Sequence, residues 1–239
     1  MPPLVTWLEE VRPKRAEVLR YLGHRGQELT DELDARIDAA ISRCAELARP
    51  RACLDSFDVA ERTRTADGVP RIVLEGCALT LDGESIAAHL EQAQAVGIMA
   101  VTLGAEIDRE LRRLSMTDPL GQLIFDAAAT ATIECMADEA EIDLANMALK
   151  RGLFTTARFS PGYGDLPLEC QSTLLAVLET ERYLGLTLMP SLLMVPTKSV
   201  TAIVGFVERL YADVQLGCSA CNLREDCYAS KDAATCKRS

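Results

Sequence analysis

Hydrophobic and polar positions alternate with two different periods along this chain. In "TDELDARIDAAISRCAEL" the apolar residues recur at helical spacing, which predicts a helix over 30–48 with Thr30 and Asp31 as caps. "ACLDSFDVA" (52–60) and "RIVLEGCALTLDG" (71–83) read as strands, with Asp82-Gly83 as a turn. "ESIAAHLEQAQAVG" (84–97) reads as a helix that stops at Gly97. A short buried strand, "IMAVTLG" (98–104), and a further helix, "AEIDRELRRL" (105–114), follow it. Asp118-Pro119 opens the longest helical pattern, running to about Gly152, with proline in the favoured first turn. A loop, a helix from about Pro167 to Leu184, and the strands "SLLMVP" and "SVTAIVGFV" complete the pattern. Strands in the middle and end of the chain with several covering helices define an α+β protein. Residues 1–212 read as one domain and 213–239 as a small cysteine-rich appendix.

Composition narrows the picture. Of the 239 residues 49% are hydrophobic, enough for a sizeable core. Only 5% are aromatic, with Trp7 the single tryptophan, so that core is built mostly of Leu, Ile, Val and Ala. Lys and Arg total 25 against 36 Asp and Glu, a net charge of −11. Such a surface repels nucleic-acid phosphates and anionic headgroups, so neither nucleic acid nor membrane is expected as a partner. The N-terminal "MPPLVTWLEEVRPKR" lacks a signal-peptide layout, and the apolar runs fall short of the roughly 18 residues of a spanning helix. A cytoplasmic location is expected.

Nine cysteines in a reducing compartment are not expected to form disulfides. Cys44, Cys53, Cys77, Cys135 and Cys170 are scattered and suit small buried hydrophobes. Cys218, Cys221, Cys227 and Cys236 instead form a C-x2-C-x5-C-x8-C tail. Four thiolates at one place suit a tetrahedral zinc or an iron–sulfur cluster; a thiol-bearing tail or a redox C-x-x-C is the alternative.

The most concentrated chemistry lies in "RFSPGYGDLPLECQ" (158–171). Arg158 offers two parallel hydrogen bonds to a carboxylate, a geometry lysine lacks. Pro161 fixes φ, Gly162 lets backbone approach a ligand, and Tyr163 offers a ring face and a hydroxyl. Asp165 suits an ammonium. Together they fit a zwitterionic, amino-acid-like ligand; an ordinary capped turn before a helix is the alternative. Glu134 follows Leu120, Leu123, Ala127 and Ala131 at spacings of three and four, on an apolar, small-residue helix face. It either lines a pocket or marks the place where the helix emerges into solvent. His24 and His89, the only histidines, receive no catalytic role, and no phosphate-cradling glycine loop is present.

The stretch from Arg158 to Phe206, with "LEGCALTLDGESIAAHL", "VTLGAEID" and "DAAATATIECMADEAE" upstream, resembles the S-adenosylmethionine-binding activation domain of cobalamin-dependent methionine synthase in a free-standing form. The resemblance covers roughly 15–210 and is most specific at Arg158–Gly164. It implies a single domain with a bent, mainly antiparallel sheet covered by helices. It implies that Arg158 binds the methionine carboxylate of S-adenosylmethionine. Gly162 and Tyr163 line the groove, backbone groups of Ser160 and Pro161 face the ligand, and Glu134 lies near it. The implied function is reductive methylation of inactive Co(II) cobalamin carried by methionine synthase or a related corrinoid protein. One electron comes from a donor, and the power lies in positioning. A tail holding an iron–sulfur cluster could accept or relay that electron. The alternative is a metal- or iron–sulfur-containing redox adaptor that activates another corrinoid methyltransferase.

Overall fold

The computed structural model describes residues 2–8 and 12–209. In chain order it contains β1 (Leu4–Trp7), α1 (Arg15–Tyr21), α2 (Asp31–Leu47), β2 (Arg51–Arg64), β3 (Pro70–Leu74), β4 (Thr80–Asp82), α3 (Glu84–His89) and β5 (Ala93–Thr102). These are followed by α4 (Ala105–Thr117), α5 (Pro119–Leu149), β6 (Phe154–Thr155), α6 (Cys170–Val177), α7 (Thr180–Leu184), β7 (Thr187–Leu188), β8 (Met194–Val195) and β9 (Ser199–Val207). One sheet has the order β4-β3-β2-β5-β9-β6, with β1 pairing β2 beside that path; β7 and β8 form a separate hairpin. The pairs β1–β2, β2–β3, β3–β4, β6–β9 and β7–β8 are antiparallel, and β2 breaks register between Val59 and Glu61. This is the expected α+β class with a mainly antiparallel sheet. No helix among the described residues is long and apolar enough to cross a membrane.

The described residues divide into two compact units, and β2, β5 and β9 each contribute to both. The first comprises described residues of 1–55, 99–143 and 178–201. Here α2 starts where its caps predict: Thr30 Oγ1 accepts the Leu33 amide at 3.3 Å, and three acids occupy the first turn. Ile37, Ala40 and Cys44, spaced three and four apart, form its buried face. The start of α5 is equally legible, since Asp118 Oδ1 accepts the Gly121 amide at 3.0 Å. Arg51 closes α7 by donating to the Tyr183 and Leu184 carbonyls at 3.0 and 2.7 Å.

The second unit comprises described residues within 56–98, 144–177 and 202–239. Its core centres on Phe206, which is fully buried. Gly97 leaves the room for that ring: a Cβ there would stand 2.8 Å from Phe206 Cε1 and 3.0 Å from Leu144 Cδ2.

Three element readings are corrected. The helix expected over 84–97 ends at His89, and β5 has begun by Ala93. Arg62 Nη2 takes the Leu90 and Ala93 carbonyls at 2.9 and 2.7 Å, so the chain turns there instead of continuing the helix. The helix expected over 167–184 breaks between α6 and α7 at Glu179, whose φ of 48° is left-handed. The strand expected over 71–83 divides into β3 and β4 around Gly76, where φ is 65°. The tail cysteines Cys218, Cys221, Cys227 and Cys236, and the domain boundary at 212, lie outside the described residues.

Candidate functional site

The 158–165 segment lies wholly in the second unit, and short-range chemistry fixes it at both ends. On the incoming side the Thr156 amide donates to the Gly205 carbonyl at 2.9 Å. The Gly205 amide donates back to Thr156 Oγ1 at 2.9 Å. Two hydrogen bonds of 2.8 Å then tie Phe159 to Ile203 of β9, one in each direction. Arg158 sits between these straps, half-buried, with its Nη1 shielded from solvent.

The loop beyond is closed by its own backbone. The Tyr163 amide donates to the Ser160 carbonyl, the Leu166 amide to the Tyr163 carbonyl, and the Gly162 amide to the Leu166 carbonyl, each at 3.0 Å. Gly162 (φ 85°) and Gly164 (φ 54°) adopt left-handed conformations that glycine reaches most easily. At Gly164 the constraint is double, because a Cβ would stand 2.6 Å from Ser85 Oγ and 2.7 Å from Ser85 Cβ.

The candidate residues do not all point the same way. Tyr163 is 62% exposed, its ring edge-on to buried Phe159 at 6.2 Å. Gly162 is exposed beside it, Ser160 is half-buried, and Pro161 is buried on the inner side of the loop. Of the backbone groups of Ser160 and Pro161 expected to face a ligand, the Ser160 carbonyl accepts the Tyr163 amide. The Asp165 carboxylate, expected to suit an ammonium, caps α3 by accepting the Glu84 amide at 2.7 Å and the Ser85 amide at 2.9 Å. Burial works to raise the Asp165 pKa, but the amides of Ser85 and Glu84 outweigh it and hold it below the usual carboxylate value. Gly83 is the N-cap residue of α3 and has no side chain to satisfy those amides; a Cβ there would stand 2.7 Å from Asp165 Oδ1.

Glu134 belongs to the first unit, half-buried on α5. Burial, and then the Glu134 charge, push the Tyr21 phenol pKa up. Its helix face is not uniformly buried: Ala127 and Ala131 are enclosed, whereas Leu120 and Leu123 are 48% and 59% exposed. Of the five described cysteines, Cys44 and Cys53 are buried as expected. Burial, helped by Glu169 and Asp82, pushes the Cys170 thiol to about 11, well away from a reactive thiolate. Among the described residues no cluster of three or more His, Cys, Asp or Glu side chains could hold a metal.

One residue of the cluster went unassigned in the sequence. His89, the last residue of α3, is 5% exposed and lies against Phe159 at 5.2 Å. Its Nε2 is 2.9 Å from the Ala157 carbonyl and 3.0 Å from Thr156 Oγ1. A carbonyl can only accept, so Nε2 carries the proton and the buried Nδ1 is left without a hydrogen bond. Burial holds the His89 pKa below the ordinary 6.5, against the pull of the Ala157 carbonyl. The unfolded chain thus binds the proton that the folded one refuses, and stability falls as pH drops from 6.5 through the folded value. Urea titrations between pH 7 and 5 should show this slope, and His89→Gln should lack it; equal slopes in the two proteins would refute it.

The α+β scaffold thus carries a half-buried arginine, an exposed glycine and an exposed tyrosine on one braced loop. The profile of the family "Vitamin B12 dependent methionine synthase, activation domain" matches residues 84–209, more than half of the chain. The chain belongs to that family. Its fold is similar to a crystal structure of the MetH reactivation domain bound to AdoHcy, with a TM-score of 0.59 and 18% identity over 92% of this chain and 84% of that one. No curated protein matches the sequence.

Proposed function

We propose that this chain binds S-adenosylmethionine on the 158–165 loop. It presents the ligand's methyl group to cobalamin carried by a methionine synthase module, as a separate reactivation subunit. The observation that carries this reading is that half-buried Arg158 and exposed Gly162 and Tyr163 share one loop strapped to β9 and closed by its own amides. The donor set fits the ligand. A guanidinium matches a carboxylate through two parallel charge-assisted bonds, and an exposed phenol ring face attracts a sulfonium cation. When bound, S-adenosylmethionine supplies an electrophilic methyl on its sulfonium.

The chain's own part is to bind and orient. Arg158 holds the amino-acid end, the Gly162 backbone permits close approach, and Tyr163 offers its open ring face. The acceptor arrives on another macromolecule, so an exposed ring serves better than an enclosed pocket. The reaction also requires one electron from a donor. The AdoHcy bound in the similar structure supports the ligand class.

The test combines this chain, S-adenosylmethionine and a reductant with an oxidised Co(II) methionine synthase that lacks its own activation domain. Recovery of methyl transfer that depends on all three additions is expected. No recovery, with the ligand shown to bind by calorimetry, would remove the reactivation role and leave the binding site standing.

A further inference from the structure

The α3 helix holds the loop at both ends. At its N-terminus the Glu84 and Ser85 amides bind Asp165, and at its C-terminus His89 binds the Ala157 carbonyl. The segment between those anchors contains Arg158, Gly162 and Tyr163. We infer that α3 is the template of the ligand loop and that His89 is a positioning residue for Arg158, an inference that rests on the ligand reading above.

The geometry is local and over-determined on the His89 side. Ala157 directly precedes Arg158, and its carbonyl receives the His89 Nε2–H at 2.9 Å. Thr156 Oγ1, 3.0 Å from the same nitrogen, accepts the Gly205 amide of β9. One imidazole proton is thus shared between a carbonyl and a hydroxyl that both belong to the strap holding Arg158. The ring also lies against Phe159, whose ring meets that of Tyr163. Displacing the imidazole therefore disturbs the backbone before Arg158 and the aromatic contact leading to Tyr163.

A ring that served only to fill space would not need a donor at Nε2, and this separates positioning from packing. Glutamine places an amide nitrogen near the Nε2 position, whereas asparagine falls short of it. Both keep a polar side chain there, and alanine keeps neither.

Wild type, His89→Gln, His89→Asn and His89→Ala should be compared by calorimetry with S-adenosylmethionine and by amide hydrogen exchange without ligand. Alanine and asparagine are expected to weaken binding about tenfold, the scale of one lost hydrogen bond, and glutamine to stay within about threefold of wild type. The Phe159 and Gly205 amides should exchange faster in the alanine and asparagine variants and remain slow in the glutamine variant. Equal affinity in all four proteins would overturn the inference. So would a ¹⁵N imidazole spectrum showing Nδ1 protonated at neutral pH. If wild type itself fails to bind the ligand, the functional reading falls, and the exchange pattern alone decides whether α3 templates the loop. If His89→Ala does not fold, Thr156→Val removes the shared hydroxyl and is expected to give the same weakening; unchanged binding there counts against the inference.

Discussion

Replacing Phe206 with alanine is expected to lower folding stability by about 3–5 kcal/mol, the range of a large aromatic truncated in a core. The ring is fully buried, its strand β9 is enclosed along almost its whole length, and its Cε1 would stand 2.8 Å from a Cβ at Gly97. Leu144 Cδ2 would stand 3.0 Å from the same Cβ. Against a typical total of about 5–15 kcal/mol, the melting midpoint should fall by roughly 6–20 °C. Gly97→Ala provides the check. In the wild-type background the added methyl overpacks the ring and should cost about 1–3 kcal/mol. In the Phe206→Ala background it enters the vacated space and should be neutral or stabilising. A thermal or urea double-mutant cycle measures that reversal, and additive effects would show that the two residues do not oppose each other.

The largest effect on ligand binding is expected at Arg158. Truncation to alanine should weaken S-adenosylmethionine binding by at least about tenfold, because hydrogen bonds to a charged group contribute about 1.5–3 kcal/mol. Lysine keeps the charge but not the fork, so Arg158→Lys should fall between alanine and wild type. 5′-Methylthioadenosine, which has no amino-acid end, gives the internal control. Its affinity should be the same in wild type and Arg158→Ala, whereas that of S-adenosylmethionine differs. Parallel losses for both ligands would mean that the substitution damages the loop and not a carboxylate clamp, and calorimetry with the two ligands separates the cases.

How far these sites could be read from the sequence depended on the range of the interactions that form them. Local signals served well. Thr30 and Asp118 announced α2 and α5 because an N-cap bonds within three residues of itself. The arginine, proline, glycine and tyrosine of the loop stood out by residue type alone. Long-range signals were invisible. The helix expected over 84–97 was cut short by Arg62, far away in the chain, which takes the carbonyls at its end. Asp165 reads as a ligand for an ammonium until α3 is seen to start at Gly83, a residue without a capping side chain, and to borrow that carboxylate. A helix start that lacks its own Ser, Thr, Asp or Asn is itself a sequence signal for a capping group from elsewhere in the chain. His89 looked like one more helix residue because its partner, the Ala157 carbonyl, carries no mark in sequence.

A helix of six residues rises only about 9 Å, and that length sets the span that Ala157 to Asp165 must bridge. The abutments are as rigid as α3 itself, so extra residues in the bridge can only arch outwards, away from the strap on β9. Attempts to retune what this site accepts should therefore exchange side chains along the crown and leave its residue count alone.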